Sequence, residues 1–214
     1  MTTTFADKNQ FLGKGLVCRR GGRTVFANLD FKLKAGDALL LTGPNGSGKS
    51  SLMRLMAGLL APADGTLSFD GPDADDSLHY VGHKTAVKPA LTVAENIRFW
   101  ADHMGGGHVE TALAQFDLAH LADLPARFLS EGQQRRTSLA RLVASPRPLW
   151  LLDEPNAGLD QANMDRLGAL VSAHRKRGGM VVAATHVELG FEGAVRMDLG
   201  AEAYRPSMAE DLQW

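Results

Sequence analysis

The chain contains a single cysteine, Cys18, among its 214 residues. An internal disulfide, a zinc cluster built on cysteines and a C-x-x-C-H haem-attachment site are therefore excluded, and a reducing compartment fits best. An excess of one charge is also missing, because 23 Lys and Arg stand against 24 Asp and Glu for a formal net charge of -1. Without a basic footprint, no nucleic-acid partner is expected.

Long apolar runs are absent as well. No stretch approaches the ~18 consecutive apolar residues that a membrane-spanning helix needs, and the polar first ten residues lack the apolar segment of a signal peptide. No internal repeat or low-complexity tract is visible. With 44% apolar and 22% charged residues, the sequence predicts one compact, cytosolic domain over residues 1–214.

The first ninety residues predict strands of two kinds. Alternating apolar positions between residues 15 and 35, with Gly21 and Gly22 as a turn, indicate a small antiparallel sheet. The continuous apolar run at 38–41 indicates a central strand of a parallel sheet, and a glycine-rich turn and a helix follow it. Further short strands are predicted at 66–69 and 78–81. The helix is predicted to bury four apolar side chains: Leu52, Met56, Leu59 and Leu60.

Helical patterns dominate residues 92–147, where they are broken by the glycines at 105–107 and by Pro125. Buried strands are predicted again at 150–152 and 180–184, with a helix from Asp160 to Lys176 between them. The sequence therefore predicts an α/β core of about residues 1–88 and 148–214, with a mixed sheet and an N-terminal antiparallel β subdomain. An α-helical subdomain of about residues 89–147 is inserted into it.

A phosphate-binding loop is predicted at residues 43–50, where GPNGSGKS fits the pattern G-x-x-x-x-G-K-[ST] between a strand and a helix. Glycines let backbone N–H groups close around phosphates, Lys49 offers charge to the β and γ phosphates, and the Ser50 hydroxyl can bind Mg²⁺. An ordinary glycine-rich turn is the alternative, which the flanking strand and helix disfavour. The residues predicted to hold the nucleotide are Gly43, Pro44, Asn45, Gly46, Ser47, Gly48, Lys49, Ser50 and Ser51.

Two carboxylates end the apolar strand LWLLDE at residues 149–154. Asp153 can hold Mg²⁺ opposite Ser50, and Glu154 can orient or deprotonate an attacking water. Acidic residues also end strands as helix caps, so the pair in isolation does not decide between a structural and a catalytic role. The phosphate loop earlier in the chain favours the catalytic interpretation.

The segment LSEGQ at residues 129–133 contains a capping box, because Ser130 and Gln133 have the spacing that caps a following helix. Leu139, Leu142 and Val143 supply the apolar face of that helix. A capped helix N-terminus carries N–H groups and a partial positive charge that suit a phosphate. The segment is therefore predicted to start a helix and to contact a phosphate.

In this order, the phosphate loop, the LSEGQ segment and the acidic strand end resemble the ATP-binding-cassette (ABC) ATPases over nearly the whole chain. The resemblance implies the fold of phosphate-loop NTPases, ATP and Mg²⁺ as ligands, and a head-to-tail homodimer with two ATP molecules at its interface. It assigns catalytic roles to Lys49, Glu154 and His186, the last as the family's switch histidine. Five residues would contact the ATP of the opposing subunit: Ser130, Glu131, Gly132, Gln133 and Asp160.

Three segments narrow the resemblance: YVGH at 80–83, LTVAEN at 91–96 and GQQRR at 132–136. With the short chain, they resemble the ATPase subunits of the haem exporters used in cytochrome c maturation. That implies integral-membrane permease partners, haem delivery for c-type cytochromes, and a cytoplasmic chain peripheral on the inner face of the inner membrane. A different solute stays open as an alternative. A second alternative is a soluble cassette protein acting in repair or translation, which would normally need two fused cassettes or a basic surface. A third is a small phosphoryl-transfer kinase, against which the LSEGQ segment argues.

Several positions depart from the family's pattern. Arg20 lies near the place of the usual adenine-stacking tyrosine, with Phe26 as a rival for that role. His83 stands where the family has a glutamine that contacts Mg²⁺, so the resemblance makes it a candidate metal residue beside Ser50 and Asp153. Because a protonated imidazole would repel the metal, we expect His83 to work neutral and to relay the docked permease. Glu131 stands at a position where glycine is the commonest residue in the family. The histidines of the helical segment could suggest haem ligands, but the flexible glycines among them favour solvated positions: His103, His108 and His120.

Overall fold

The computed structural model describes residues 4–5, 9–70, 77–185, 191–201 and 204. Strands β1 (Gln10–Arg20) and β2 (Arg23–Lys34) form the predicted hairpin, with Gly21 and Gly22 at positive φ in its turn. β3 (Ala38–Thr42) leaves for a second sheet, and β4 (Asp64–Asp70) returns to pair with the free edge of β1. The first sheet is therefore antiparallel, in the order β2-β1-β4.

The second sheet contains five strands in the order β5-β6-β7-β3-β8. Besides β3 these are β5 (Leu78–Val81), β6 (Leu149–Asp153), β7 (Met180–Ala184) and β8 (Val195–Asp198). The predicted α/β core with an antiparallel N-terminal sheet is confirmed, with antiparallel pairing in the first sheet and parallel pairing among all described strands of the second. The cause is that a tight turn joins β1 to β2, whereas longer crossovers join strands of the second sheet.

Five helices accompany these strands in the described part of the chain. α1 (Lys49–Met56) follows β3 and α5 (Gln161–Lys176) follows β6. α2 (Val93–His103), α3 (Val109–Gln115) and α4 (Glu131–Ala144) lie between β5 and β6, together with 3₁₀ turns at Ala119–Leu121 and Ala126–Phe128. All of this helical segment falls within residues 89–147, whose status as a subdomain stays a prediction.

α1 ends before two of the four apolar residues that were predicted to form its buried face. The helix stops at Met56, because Gly58 adopts a φ of 70° and the amides of residues 58 and 59 donate to carbonyls of the last helical turn. Leu59 therefore lies beyond the helix and is 66% exposed, so its predicted burial was wrong. Leu60 is half-buried outside the helix, whereas Leu52 is buried as predicted.

The parallel sheet separates two hydrophobic cores, because successive side chains of a strand point to opposite faces. Leu39 and Leu41 pack with α1 and with the apolar face of the antiparallel sheet. Leu40 packs on the other face, with the helical segment and with Leu167 and Val171 of α5. The helical segment and the antiparallel sheet thus cover opposite faces, and both leave the carboxyl ends of the strands accessible.

Two polar side chains fix the loop that precedes α2. Thr92 and Glu95 form a capping box, in which the Thr92 N–H donates to Glu95 Oε2 at 2.8 Å and the Glu95 N–H to Thr92 Oγ1 at 3.2 Å. Buried Asn96 donates to the carbonyls of Lys88, Leu91 and Thr92. The LTVAEN segment therefore has a structural role in addition to its family resemblance.

Two histidines are buried on the helical side of the sheet. His79 of β5 donates from Nε2 to the Ser145 carbonyl at 2.6 Å, and His174 of α5 stacks on Trp150 with 3.8 Å between ring centroids. The pKa of both imidazoles is lowered to about 3, chiefly by burial and, for His79, also by nearby Arg141. Both rings are neutral at physiological pH.

These histidines predict acid sensitivity. In the unfolded chain each ring takes up a proton near pH 6.5, whereas in the folded chain it stays neutral down to about pH 3. Stability is therefore full above pH 6.5 and falls on acidification, by about 2 kcal/mol for each histidine at pH 5. In urea unfolding at pH 7 and pH 5, His174→Phe should lose about 2 kcal/mol less than the unmodified chain. Exposed His120→Gln should not, and an unchanged loss in His174→Phe would contradict the assignment.

Candidate nucleotide site

A cavity of about 400 Å³ lies at the carboxyl edge of the parallel sheet. Because carboxyl ends of parallel strands meet at one edge, it collects side chains from segments distant in sequence. Its lining residues are Arg20, Val25, Asn45, Gly46, Gly48, Lys49, Ser50, Ser51, His83, Asp153 and Glu154. The structure thus brings the predicted nucleotide loop, both predicted carboxylates, Arg20 and His83 into one cavity.

The loop between β3 and α1 encloses the ammonium group of Lys49. Lys49 Nζ donates to the carbonyls of Gly43 at 2.7 Å and Pro44 at 3.0 Å, and the residue is 9% exposed. Gly46 and Gly48 adopt φ of 84° and 102°, a region in which side chains are strained. The result is a loop whose backbone can curve tightly around one cation.

The first turn of α1 faces the cavity. Gly48 is its N-cap residue, and Ser50 and Ser51 line the cavity. The N–H groups of a first helical turn and the positive end of the helix dipole attract anions. Behind Ser51, burial raises the pKa of the Cys18 thiol, so that cysteine is a neutral neighbour of the helix start. The site therefore combines three sources of attraction for phosphate: loop amides, helix amides and Lys49.

The two carboxylates come from the turn after β6. Asp153 is buried at the last position of the strand, and Glu154 follows at a φ of 51°, which residues other than glycine rarely adopt. The Glu154 N–H donates to the Ala184 carbonyl at 2.8 Å, which extends the pairing of β6 with β7 by one residue. The chain then turns over the sheet edge and places both side chains at the cavity.

The side chain of Arg135, in α4, donates hydrogen bonds to the backbone carbonyls of this turn. Its Nη2 donates to the carbonyls of Asp153 at 2.7 Å and Glu154 at 2.5 Å, its Nε to Pro155 at 3.3 Å, and its Nη1 to Gly82 at 2.8 Å. Burial lowers the pKa of this guanidinium, while Asp153 and Glu154 act in the opposite direction. A buried charge is tolerated because four carbonyls surround it.

Arg135 is not among the residues predicted from the sequence, although its spacing provides a signal. It precedes Leu139 by four residues and Leu142 by seven, so it lies on the buried face of the amphipathic helix. A charged residue on such a face needs polar partners inside the protein. Its partners are backbone carbonyls, which a sequence does not reveal.

The LSEGQ segment begins α4 with the predicted capping box. The Gln133 N–H donates to Ser130 Oγ at 3.3 Å, and the Ser130 N–H donates to Gln133 Oε1 at 2.8 Å. Glu131 is exposed beside them. These residues do not line the 400 Å³ cavity. They form a separate surface, and their contact with the ATP of another subunit stays a prediction.

A glycine contact joins LSEGQ to the segment after the carboxylates. A Cβ added to Gly132 would lie 2.5 Å from the carbonyl oxygen of Gly158, so the two backbones touch. Two residues later Asp160 caps α5 by accepting from the Asn163 N–H at 2.9 Å, and these hydrogen bonds lower the pKa of Asp160. Asp160 thus lies near LSEGQ and has a capping role of its own.

The structure distinguishes between the two residues that were predicted to stack on adenine. Arg20 is exposed and lines the cavity, and its stacking on adenine stays a prediction. Phe26 is 0% exposed and packs beneath Gly48, so the rival prediction that it stacks on adenine was wrong. Val25, which was not predicted, supplies the apolar contact next to Arg20. Val25 rather than Phe26 reaches the cavity because adjacent residues of β2 point to opposite faces of the sheet.

The sequence singles out four further histidines. His186 lies outside the described residues. His103 is exposed at the end of α2, His108 caps α3, and His120 lies in a 3₁₀ turn. Within the described ranges, no cluster of three or more His, Cys, Asp or Glu side chains could hold a metal ion.

Fold and loop together define a phosphate-loop nucleotide-binding protein: a parallel sheet whose β3 leads through GPNGSGKS into a helix, with two carboxylates beside it. A protein-family model described as "ABC transporter" matches residues 26–157, and the chain belongs to this family. It is therefore an ABC-type ATPase that binds ATP, which confirms the interpretation of the three motifs. No helix in the described part of the chain has the length and apolar character to cross a membrane.

Several curated proteins are similar to this chain over most of its length, at about half sequence identity. The chain is 53% identical over 189 residues to a protein from Bradyrhizobium diazoefficiens named "Cytochrome c biogenesis ATP-binding export protein CcmA", with 86% of this chain and 94% of that protein covered. A protein of the same name from Paramagnetospirillum magneticum is 52% identical over 216 residues, with coverage of 94% and 97%. These matches confirm the narrower resemblance found in the sequence.

Two solved structures confirm the fold alone. A putative ABC transporter ATP-binding protein from Pyrococcus furiosus superposes with a TM-score of 0.77 at 18% identity, covering 89% of this chain and 97% of that one. An ATP-binding subunit of an ABC transporter gives a TM-score of 0.79 at 21% identity, with coverage of 89% and 86%.

The contact between Gly132 and Gly158 predicts a strict size limit. Gly132→Ala would place a methyl group against a backbone oxygen, so α4 and the turn must separate at a cost of about 1–3 kcal/mol. Gly107→Ala is the matched control, because a Cβ there meets nothing within 4 Å. Thermal unfolding should show a lower Tm for the first variant and little change for the second. Equal Tm values would mean that the backbones do not touch.

Proposed function

We propose that this chain is the ATPase subunit of an ABC complex that energises haem export or delivery for the assembly of c-type cytochromes. The cavity that joins the phosphate loop to Asp153 and Glu154 carries the ATPase part of the proposal. The names of the curated relatives, at about half identity over nearly full length, support the cargo. The fold itself hosts many functions, so cargo is argued from relatives and from the partner.

In the proposed reaction the phosphate chain of ATP lies along the loop and the first turn of α1. Lys49, already directed into the loop, would exchange carbonyl partners for the β and γ phosphates. Glu154 would orient or deprotonate the attacking water from the opposite wall. His186 would contact the γ phosphate, and Arg20 would stack on the adenine with Val25 beside it.

The donor atoms in the cavity suit Mg²⁺. The Ser50 hydroxyl and the Asp153 carboxylate are oxygen donors, and Mg²⁺ typically takes one or two protein oxygens together with phosphate oxygens and water. Ser50 and Asp153 would hold the ion, which when bound neutralises charge on the transferred phosphate. The imidazole of His83 is a poorer ligand for this metal, so we keep its proposed role as a relay and not as a metal ligand.

A second subunit would complete each site. The N-terminus of α4 offers the first-turn amides of Glu131 and Gly132 on a surface separate from the chain's own cavity. In a two-fold, head-to-tail dimer, Ser130, Gly132 and Gln133 would reach the γ phosphate bound by the other subunit, and Asp160 would lie at the same interface. The proposal is therefore a homodimer with two shared sites.

The test of the ATPase is Glu154→Gln. We expect ATP turnover to fall at least a hundredfold, because the variant keeps the shape of the side chain but removes its basicity. ATP binding should remain, and Mg²⁺ with ATP should convert the variant from monomer to dimer in size-exclusion chromatography with light scattering. Exposed Glu110→Gln is the control and should retain turnover. Undiminished turnover in Glu154→Gln would refute the catalytic role, and a monomer under these conditions would refute the shared site.

The membrane partner would dock in an apolar groove of about 790 Å³ that shares no lining residue with the nucleotide cavity. Leu59, displaced from the helix by Gly58, is an exposed leucine on its wall. Tyr80 lines the groove while His83, three residues further along the same segment, lines the nucleotide cavity. A partner seated there would therefore contact a segment that reaches the ATP. Further lining residues are Met56, Phe69, Trp100, His103, Met104 and Arg141.

Docking and cargo are tested together in cells that depend on this chain. Leu59→Glu should keep ATP binding, because the side chain is exposed, but should lose the co-purified permease and most of the haem-stained c-type cytochrome. Leu59→Met, which remains apolar, should retain both. Normal cytochrome haem in cells lacking the chain, together with an unrelated permease co-purified with the tagged chain from cells that contain it, would favour export of a different solute. That result would leave the ATPase assignment intact.

A further inference from the structure

We propose that Arg135 is a positioning residue that makes the LSEGQ helix and the Glu154 turn move as one unit. The inference deepens the proposed ATPase and rests on it. It concerns how the two ends of one subunit, each serving a different ATP, are mechanically connected. The observation that carries it is the convergence of four backbone carbonyls on one buried guanidinium.

Three of those carbonyls are consecutive. Asp153, Glu154 and Pro155 all direct their oxygens toward Arg135, which requires the chain to curl around the guanidinium. The left-handed φ of Glu154 produces this curl. A strained backbone persists when its surroundings determine it, and here the surroundings are the Arg135 fork and the hydrogen bond from Glu154 N–H to Ala184. The direction of the Glu154 side chain consequently depends on Arg135.

The second segment held by Arg135 is the one after β5. Nη1 donates to the Gly82 carbonyl at 2.8 Å, and the next residue, His83, lines the cavity. A planar guanidinium can donate in several fixed directions at once, whereas an ammonium is a compact point donor. Arg135 can therefore bridge the ends of two neighbouring strands, β5 and β6, with a geometry that lysine cannot reproduce.

Helix α4 also contacts the other end of the segment 153–158, at Gly158. Arg135 lies five residues after Ser130, so a little more than one helical turn separates it from the LSEGQ cap. Gly132, between them, touches the carbonyl of Gly158. The segment from 153 to 158 is thus fixed to α4 at both ends. A displacement of LSEGQ, when it meets or leaves the partner's ATP, would carry Glu154 with it.

Arg136 provides a matched control on the same helix. Its Nη1 donates to the carbonyls of Phe116 at 2.8 Å and Asp117 at 2.9 Å, and it lies 3.6 Å from the Asp117 carboxylate. It therefore makes comparable contacts, but to the turn that follows α3, which is far from the two carboxylates in sequence. Loss of either arginine removes a charged group and several hydrogen bonds to carbonyls. Loss of Arg135 alone would release the Glu154 turn.

The experiment measures kcat and KM for ATP, ATP binding and Tm in full-length Arg135→Gln, Arg135→Lys and Arg136→Gln. Misplacement of a catalytic group by about 1 Å can cost roughly a hundredfold, so kcat should fall about that far in Arg135→Gln. Arg135→Lys should restore only a small part of the rate. KM and ATP binding should stay close to those of the unmodified chain, and Arg136→Gln should lower Tm without lowering kcat.

Full turnover in a folded Arg135→Gln or Arg135→Lys would overturn the inference. So would parallel losses of Tm, ATP binding and kcat matching those of Arg136→Gln, because these would show a purely structural role. If Arg135→Gln does not fold, the Arg135→Lys variant decides, since it retains charge and length. An unmodified chain without ATPase activity would instead refute the proposed function, so the two failures are distinguishable.

Discussion

Parallel pairing of β6 with β7, and of β7 with β3, is the constraint on which the rest of the structure depends. It aligns the carboxyl ends of strands that lie more than a hundred residues apart in sequence. The phosphate loop leaves β3 and the two carboxylates leave β6 at that common edge, so the cavity between them follows directly from the strand order. A different register would separate the Lys49 ammonium from Glu154.

Successive side chains of these strands point to opposite faces of the sheet, and this alternation explains how the other elements pack. One face of the sheet binds the antiparallel sheet and α1, and the other binds the helical segment and α5. Because helices lie on one side of the carboxyl edge and a hairpin on the other, each contributes to the nucleotide site. The hairpin brings Arg20 and Val25, and the helical segment brings Arg135 beneath the carboxylates.

Buried polar groups distinguish this core from a purely hydrophobic one. His79 and His174 are held neutral, and Asn96 satisfies the carbonyls of a loop. Arg135 keeps its charge beneath the catalytic turn, where four carbonyl contacts compensate for the desolvation of its guanidinium. Such networks restrict the protein to one arrangement, because removing any member leaves the others unpaired.

Local patterns in the sequence determined what depends on neighbours in the chain: the GPNGSGKS loop, the Ser130 cap, the helix at 161–176 and the buried strands. Spacing and side-chain chemistry suffice for the loop, the cap and the helix, since their hydrogen bonds close within a few residues. Continuous apolar runs suffice to indicate the buried strands, although the pairing partners of those strands lie far away in the sequence. Tertiary structure decided the burial of Phe26 and the exposure of Leu59, the separation of parallel from antiparallel pairing, and the role of Arg135. Each of these depends on which segments meet in space, and the partners of Arg135 are backbone atoms that every residue possesses.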